Sequence, residues 1–276
     1  MNTTPPPHTL AFIGGGNMAE ALLRGLLQQD RVSAAQLRVT DIDATRRAYL
    51  EATYHIQTDA DNGVAIRWAT HVVLAVKPQQ LIPLLQSVRE AWRSDQVVIS
   101  IAAGIPTARI EAELPTDVRV VRCMPNTPAL VGQGVHAIAL GSRATTADSE
   151  QVADWLAATG KVVSLAEAQM DAVTAISGSG PAYVFYLMEA MEAAAAELGL
   201  APDCARELIT ATVAGTAALW QGQPDETPAT LRQRVTSKGG TTAAAMAVLE
   251  HAAVRTHWIA AIRAAEQRAR ELAQSV

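Results

Sequence analysis

Short, nearly unbroken apolar runs alternate with stretches of helical spacing through the first half of the chain. The runs occupy residues 10–13, 37–40, 71–76, 97–101 and 118–123. Strands that lack polar alternation are those covered on both faces. Strands alternating with helical patterns, as at 18–28 and 80–92, predict a parallel α/β sheet. Residues 135–140 and 161–165 read as two further strands that close that sheet. Past about residue 166 the strand pattern stops. Residues 182–198, 205–220, 243–252 and 257–273 then read as helices, punctuated by Gly199, Gly222 and Pro224. The expected organisation is an α/β domain over 1–165 and an all-α domain over 166–276.

Helices 182–198 and 205–220 carry apolar or small residues around most of their circumference. Such helices must be buried on most sides, and four helices offer each other little cover. A homo-oligomer sharing this half is therefore expected. The 276 residues suffice for two ordinary domains, and 49% hydrophobic against 18% charged residues is a globular balance. A net charge of −5 argues against nucleic acid or an anionic membrane as partner, so any anion site must be built locally. The two cysteines, Cys123 and Cys204, form no close pair and point to reduced thiols in the cytoplasm. Residues 1–9 are Pro-rich, without the basic and apolar regions of a secretory leader, and no run is long enough to span a membrane.

Chemistry enters with three glycine-rich segments placed before helices. Gly14-Gly15-Gly16-Asn17-Met18-Ala19 follows the first strand and opens the first helix, the setting that a dinucleotide fingerprint requires. Gly14 permits the tight turn, Gly16 the approach of a pyrophosphate, and Ala19 close packing of helix on strand. Asp41 ends the second strand, where an acid binds the ribose 2′-hydroxyl. A carboxylate there repels a 2′-phosphate and favours NADH, while Arg46 and Arg47 keep NADPH open. Lys77-Pro78, Ala102-Ala103-Gly104 and Met124-Pro125-Asn126-Thr127-Pro128 each end a strand on the same sheet edge.

The other two segments are Ser177-Gly178-Ser179-Gly180-Pro181 and Ser237-Lys238-Gly239-Gly240-Thr241-Thr242. Pro181 stands where a helix should begin, with Ser179 or Gly180 as its cap. Thr241 or Thr242 is the expected cap of the later helix, and the amides of Gly240, Thr241 and Thr242 suit a small carboxylate. Helix 182–198 carries no Lys, Arg or His to protonate a carbonyl oxygen. A protonated C=N already bears positive charge and asks for positioning and a hydrogen bond to nitrogen, not a strong acid. An imine substrate is favoured, with Lys77 and Lys238 still available as donors.

These blocks closely resemble the pyrroline-5-carboxylate reductase family along essentially the whole chain. The resemblance includes Phe12-Ile13-Gly14, Ala75-Val76-Lys77-Pro78, Ser100-Ile101-Ala102-Ala103-Gly104 and Met124-Pro125-Asn126-Thr127-Pro128-Ala129. Its most specific block is Asp171-Ala172-Val173-Thr174 running into Ser177-Gly178-Ser179-Gly180-Pro181-Ala182-Tyr183. It implies a Rossmann-type α/β dinucleotide-binding domain followed by an all-α C-terminal dimerisation domain, in a homodimer that some members assemble further. It implies reduction of the cyclic imine to L-proline by NADPH or NADH. Carried over by position, Gly14, Gly16, Asn17 and Met18 bind the pyrophosphate and Asn62 the adenosine portion. Ala75, Lys77, Pro78, Ala103 and Gly104 line the rest of the groove, and Glu167 is the acidic residue of the active site. Gly240, Thr241 and Thr242 hold the substrate carboxylate, with the Thr242 hydroxyl facing the ring nitrogen and Thr242 and Lys77 as catalytic candidates. Lys238 replaces a proline common in the family, and Asp225 and Glu226 are alternatives for a second acid. Another cyclic imine, a hydroxy acid, or a non-catalytic dinucleotide sensor remain the competing readings.

Overall fold

The structure, a computed structural model, describes residues 8–274, so most of the Pro-rich opening lies outside the described residues. The chain forms two compact units, one running to Ser179 and including the residues from Ala265 on, the other Gly180–Ala264. The sequence places its boundary at 165/166; by contacts within the chain the first unit extends to Ser179.

The first unit holds β1 (Leu10–Ile13), α1 (Asn17–Gln28), β2 (Leu37–Thr40), α2 (Ala44–Tyr54), β3 (Gln57–Asp59), α3 (Asn62–Trp68), β4 (His71–Leu74) and α4 (Pro78–Ser87). It continues through β5 (Val97–Ser100), α5 (Thr107–Glu111), β6 (Arg119–Met124), β7 (Gly134–Leu140), α6 (Thr146–Leu156), β8 (Gly160–Ser164) and α7 (Met170–Val173). The strands form one sheet in the order β3-β2-β1-β4-β5-β6-β7-β8. Every pairing is parallel except the antiparallel β6–β7 pair. Successive side chains of a strand point to opposite faces, which explains the unbroken apolar runs. Leu10 and Phe12 join one core with Leu22, Leu26, Trp155 and Leu156. Ala11 and Ile13 join the other with Ile66, Leu81, Leu85 and Ile110. Each large side chain buried this way contributes about 1.5–3 kcal/mol.

The helix expected over 80–92 ends at Ser87 and gives way to a tight turn at Arg89–Ala91, after Pro83 has removed an interior donor. β3 is not foreseen from the sequence, because its Gln-Thr-Asp run is a short edge strand without an apolar pattern.

The second unit holds α8 (Gly180–Glu197), α9 (Pro202–Gln221), α10 (Pro228–Arg234), α11 (Thr241–His251) and the start of α12 (Val254–Gln274), whose last turns belong to the first unit. The polar α10 also went unpredicted; Thr227 caps it by accepting the Thr230 N–H, and Pro228 begins it. A small core forms between α8 and α9 from Ala195, Ala205 and Ile209, flanked by Met188 and Met191.

A new helix does begin at the Ser177–Pro181 segment, at Gly180, but the residues that lead into it are themselves helical and do not form an open turn. Residues Thr174–Gly178 form a wide π-type turn after α7, closed by Ser179 N–H donating to the Thr174 carbonyl at 2.8 Å, and α8 follows at Gly180. A side chain at Gly178 would place its Cβ 2.4 Å from Met124 Cε. That glycine serves close packing between the π turn and the end of β6. Insertions of this type recur at functional sites.

Candidate active site

Strand order reverses at β1, which has β2 on one side and β4 on the other. The crevice beyond the carboxyl ends of strands at such a switch point is where open α/β sheets take ligands. Gly14 leaves β1 at φ +100°, and a Cβ there would lie 2.8 Å from the Ala75 carbonyl oxygen. Gly14 N–H donates to the Thr40 carbonyl and Ala75 N–H to the Ile13 carbonyl, both at 2.9 Å. Backbone conformation and space therefore both demand glycine at this position.

Gly16 differs. A Cβ built on it meets nothing within 4 Å, so protein packing does not explain this glycine. It is the N-cap of α1, and no side chain caps that end. The amides that open α1, at Asn17 and Met18, thus face an open cradle with no intrahelical partner, a ready site for a pyrophosphate. Asp41 stands at the carboxyl end of β2; its Oδ2 accepts Gly15 N–H and its Oδ1 accepts Asp43 N–H, each at 2.9 Å. Asn62 opens α3 and accepts the Thr40 hydroxyl through Oδ1 at 2.6 Å. Lys77 is the N-cap of α4 and Pro78 its first residue; the Lys77 side chain is exposed, with no hydrogen bond or ion pair to the described residues. Ala103 and Gly104 follow β5, where Gly104 has φ +76° and a Cβ on it would lie 3.3 Å from Leu272 Cβ of α12. Packing and backbone conformation account for that glycine.

The loop after β6 is held by Asn126, not by its prolines alone. The nearly buried Asn126 donates through Nδ2 to the Ser177 carbonyl at 3.2 Å and accepts Val135 N–H through Oδ1 at 2.8 Å. Beside it, Arg122 is 2% exposed in the middle of β6. Its guanidinium donates to Glu167 Oε1 at 2.6 Å, which also accepts Thr107 N–H at 3.3 Å, and lies 3.8 Å from Asp171. Glu167 Oε2 is buried without a partner. Sequence reasoning missed both Arg122 and the working side of Asn126. The signal for Arg122 was there: a cation inside an apolar strand must find a carboxylate.

In the second unit, Gly240 is the N-cap of α11, and no side chain caps that end. Neither Thr241 nor Thr242 takes the expected capping role, because the helix begins at Thr241 itself. Gly239 has φ +73°, and a Cβ on Gly240 would meet Ser237 Oγ at 2.5 Å. The amides of Thr241 and Thr242 consequently open the helix uncapped, and the Thr242 hydroxyl is uncommitted among the described residues. Lys238 is exposed and has no ion pair among the described residues, Asp225 is exposed, and Glu226 pairs with Arg234.

Residues 9–104 match the family model described as NADP oxidoreductase coenzyme F420-dependent. Residues 167–272 match the model of pyrroline-5-carboxylate reductase dimerisation, beginning beside the sequence-derived boundary. The chain is 44% identical over 268 residues to the pyrroline-5-carboxylate reductase of Pseudomonas aeruginosa, with 97% of each chain covered. The chain belongs to the pyrroline-5-carboxylate reductase family. The family's Synechocystis member is 41% identical, covering 95% of this chain and 97% of that one. Among solved structures of the family, that from Coxiella burnetii is 35% identical with a TM-score of 0.87, covering 97% of this chain and 99% of the other. The Plasmodium falciparum pyrroline carboxylate reductase, solved with NADP bound, has a TM-score of 0.88 at 26% identity, covering 96% and 98%. The fold is thus the Rossmann-type domain with a helical C-terminal region shared by this family. No helix among the described residues is long and apolar enough to cross a membrane.

Proposed function

We propose that the chain reduces 1-pyrroline-5-carboxylate to L-proline with NADPH or NADH, the last step of proline biosynthesis. The observation that carries this reading is family membership along the whole chain, with both uncapped helix N-termini intact. When bound, the reduced nicotinamide supplies the hydride that adds to C5 of the ring.

The chain's own residues bind, orient and donate. The amides of Asn17 and Met18, with Gly14 and Gly16, hold the pyrophosphate; Asp41 and Asn62 take the adenosine end, and Ala75, Lys77, Pro78, Ala103 and Gly104 line the groove. Gly240, Thr241 and Thr242 hold the substrate carboxylate against the positive end of the α11 dipole. The Thr242 hydroxyl hydrogen-bonds the ring nitrogen, and Lys77 lends positive charge beside the cofactor. Glu167, braced by Arg122, offers its unpartnered oxygen as an acceptor to the substrate. α8 contains no Lys, Arg or His. Hydride addition to a protonated imine neutralises charge and creates no oxyanion, so the reaction does not need one there.

The protein works in the cytoplasm, where Cys123 and Cys204 stay reduced, as a homodimer through its C-terminal helices. Following NAD(P)H oxidation with pyrroline-5-carboxylate, beside piperideine-2-carboxylate and a 2-keto acid, tests the activity. Turnover of the first well above the others is expected; folded protein that leaves it unreduced refutes the proposal.

A further inference from the structure

Two arginines stand close to the adenosine end of the groove, and the structure shows how each is occupied. Arg46 donates through Nε to the Gly15 carbonyl at 2.5 Å and pairs through its guanidinium with Glu20. Glu20 lies in the first turn of α1, one residue past the fingerprint. Its Oε1 also accepts the Tyr54 hydroxyl at 2.7 Å and the Tyr49 hydroxyl at 3.0 Å. The Arg46 guanidinium lies over the Tyr49 ring, 5.2 Å from its centroid. Arg47 donates to the Asp41 carbonyl at 2.7 Å and to the Ile42 carbonyl at 3.3 Å. Burial would raise the Glu20 carboxyl, but hydrogen bonds from Tyr54, Arg46 and Tyr49 outweigh it and hold the group below its ordinary range.

We propose that this groove is built for NADH, and that Glu20 is a specificity-determining residue which holds Arg46 on the glycine turn and away from a ribose 2′-phosphate. The inference rests on the dinucleotide reading above. Asp41, fixed by two backbone amides, presents a carboxylate where a 2′-phosphate would sit, and like charges at that range repel. A groove taking NADPH would offset this with a guanidinium able to swing toward the phosphate, since Arg recognises phosphate through a fork of donors. Arg46 is the obvious candidate, yet its donors are shared between a carboxylate and a carbonyl beneath the turn. Two tyrosine hydroxyls fix the carboxylate that holds it. Glu20 touches no cofactor atom in this account; it acts through Arg46.

Binding of 2′,5′-ADP and of 5′-AMP, which differ only in the 2′-phosphate, is measured by calorimetry on the full chain and separates that phosphate from the chemistry. The wild type should bind 5′-AMP more tightly than 2′,5′-ADP. In Glu20→Gln the affinity ratio should move toward 2′,5′-ADP by about tenfold, the worth of one charge-assisted contact. Adding Arg46→Ala to that variant should abolish the gain. A ratio unmoved by Glu20→Gln, or a gain that survives without Arg46, overturns the proposal. Arg46→Ala alone keeps the test decisive should Glu20→Gln fail to fold. It should leave the ratio unchanged, and a selective loss of 2′,5′-ADP binding would show that Arg46 already serves the phosphate. If neither nucleotide binds folded protein, the dinucleotide reading itself falls, which separates the two failures.

Discussion

At the scale of single residues, two positions separate structural demand from chemical role. Gly14 is needed for both: its φ of +100° and the Ala75 oxygen 2.8 Å from a would-be Cβ leave no place for a side chain. Gly14→Ala should cost roughly 2 kcal/mol of stability, the range for a strained backbone site, and weaken NADH binding by displacing the turn. Thermal melts with and without cofactor check both parts. The Thr242 hydroxyl has no partner among the described residues, so Thr242→Ala should leave the melting temperature nearly unchanged. It should slow turnover of the imine by roughly tenfold or more, the worth of a hydrogen bond to a charged group, while NADH affinity measured by fluorescence stays within about twofold. Loss of cofactor affinity without loss of turnover would remove Thr242 from the substrate's side. Asp41 stands out in the sequence because it ends an apolar strand, whereas Asn62 is pointed to by the family resemblance alone, since the strand before it, β3, has no apolar pattern. Glu20 and Arg122 were not, since their partners Arg46 and Glu167 are distant in sequence and meet only through the sheet.

At the scale of elements, the parallel register depends on contacts that no pattern of apolar residues reveals. β7 and β8 begin with Gly134 paired to Gly160, and a Cβ on Gly160 would fall 2.1 Å from the Gly134 carbonyl oxygen. Backbone cannot yield there as a flexible side chain would. Gly160→Ala should therefore cost about 3 kcal/mol or more, in the upper range for overpacking, and urea unfolding should show it as a lower midpoint. An unchanged midpoint would mean that the two strands separate more readily than this register implies. The apolar strands of the sheet were legible in the sequence because both their faces are covered. β3 and α10 were not, being polar and peripheral and defined by an edge pairing and a cap. In the Ser177–Pro181 block the start of a helix was legible and the π turn before it was not. Its glycines suggest a turn, but Gly178 is there to admit Met124 against a helical π turn.

At the scale of the whole molecule, buried histidines set the response to acid. Burial, with His8 beside it, pushes His71 down from 6.5 to about 4, and burial does the same to His136 despite its contact with Thr159. The native state then binds fewer protons than the unfolded chain between those values. Each histidine's contribution is complete above about pH 6.5 and disappears as pH falls toward 4. Linkage makes this roughly 3 kcal/mol per site over the full window. Urea unfolding from pH 7 down to pH 4 should show stability declining, and His136→Leu should flatten the slope; a slope that survives would assign it to other groups.

The helical unit poses the remaining question of scale, because its chain alone leaves much apolar surface uncovered. Val184, Phe185, Tyr186 and Leu187 are consecutive in α8 and all exposed, and only Ala195 of that helix is buried. Successive residues of a helix are turned by about 100°, so these four side chains point nearly all the way around. One flat contact cannot cover them, and a partner must enclose the helix. A second copy offers the same helices as cover, which is the logic of a self-complementary interface. A chain that completes its core this way has no stable folded monomer, and its apparent stability rises with protein concentration. Sedimentation should give at least twice the chain mass at every concentration where the protein is folded, and the melting temperature should climb with protein concentration. Phe185→Glu, which places a charge in the enclosed surface, should lower that mass or send the protein into aggregates while leaving the sequence of the dinucleotide unit untouched. A folded monomer with wild-type stability would instead mean that α8 tolerates water on all sides, against the energetics of so much exposed apolar surface.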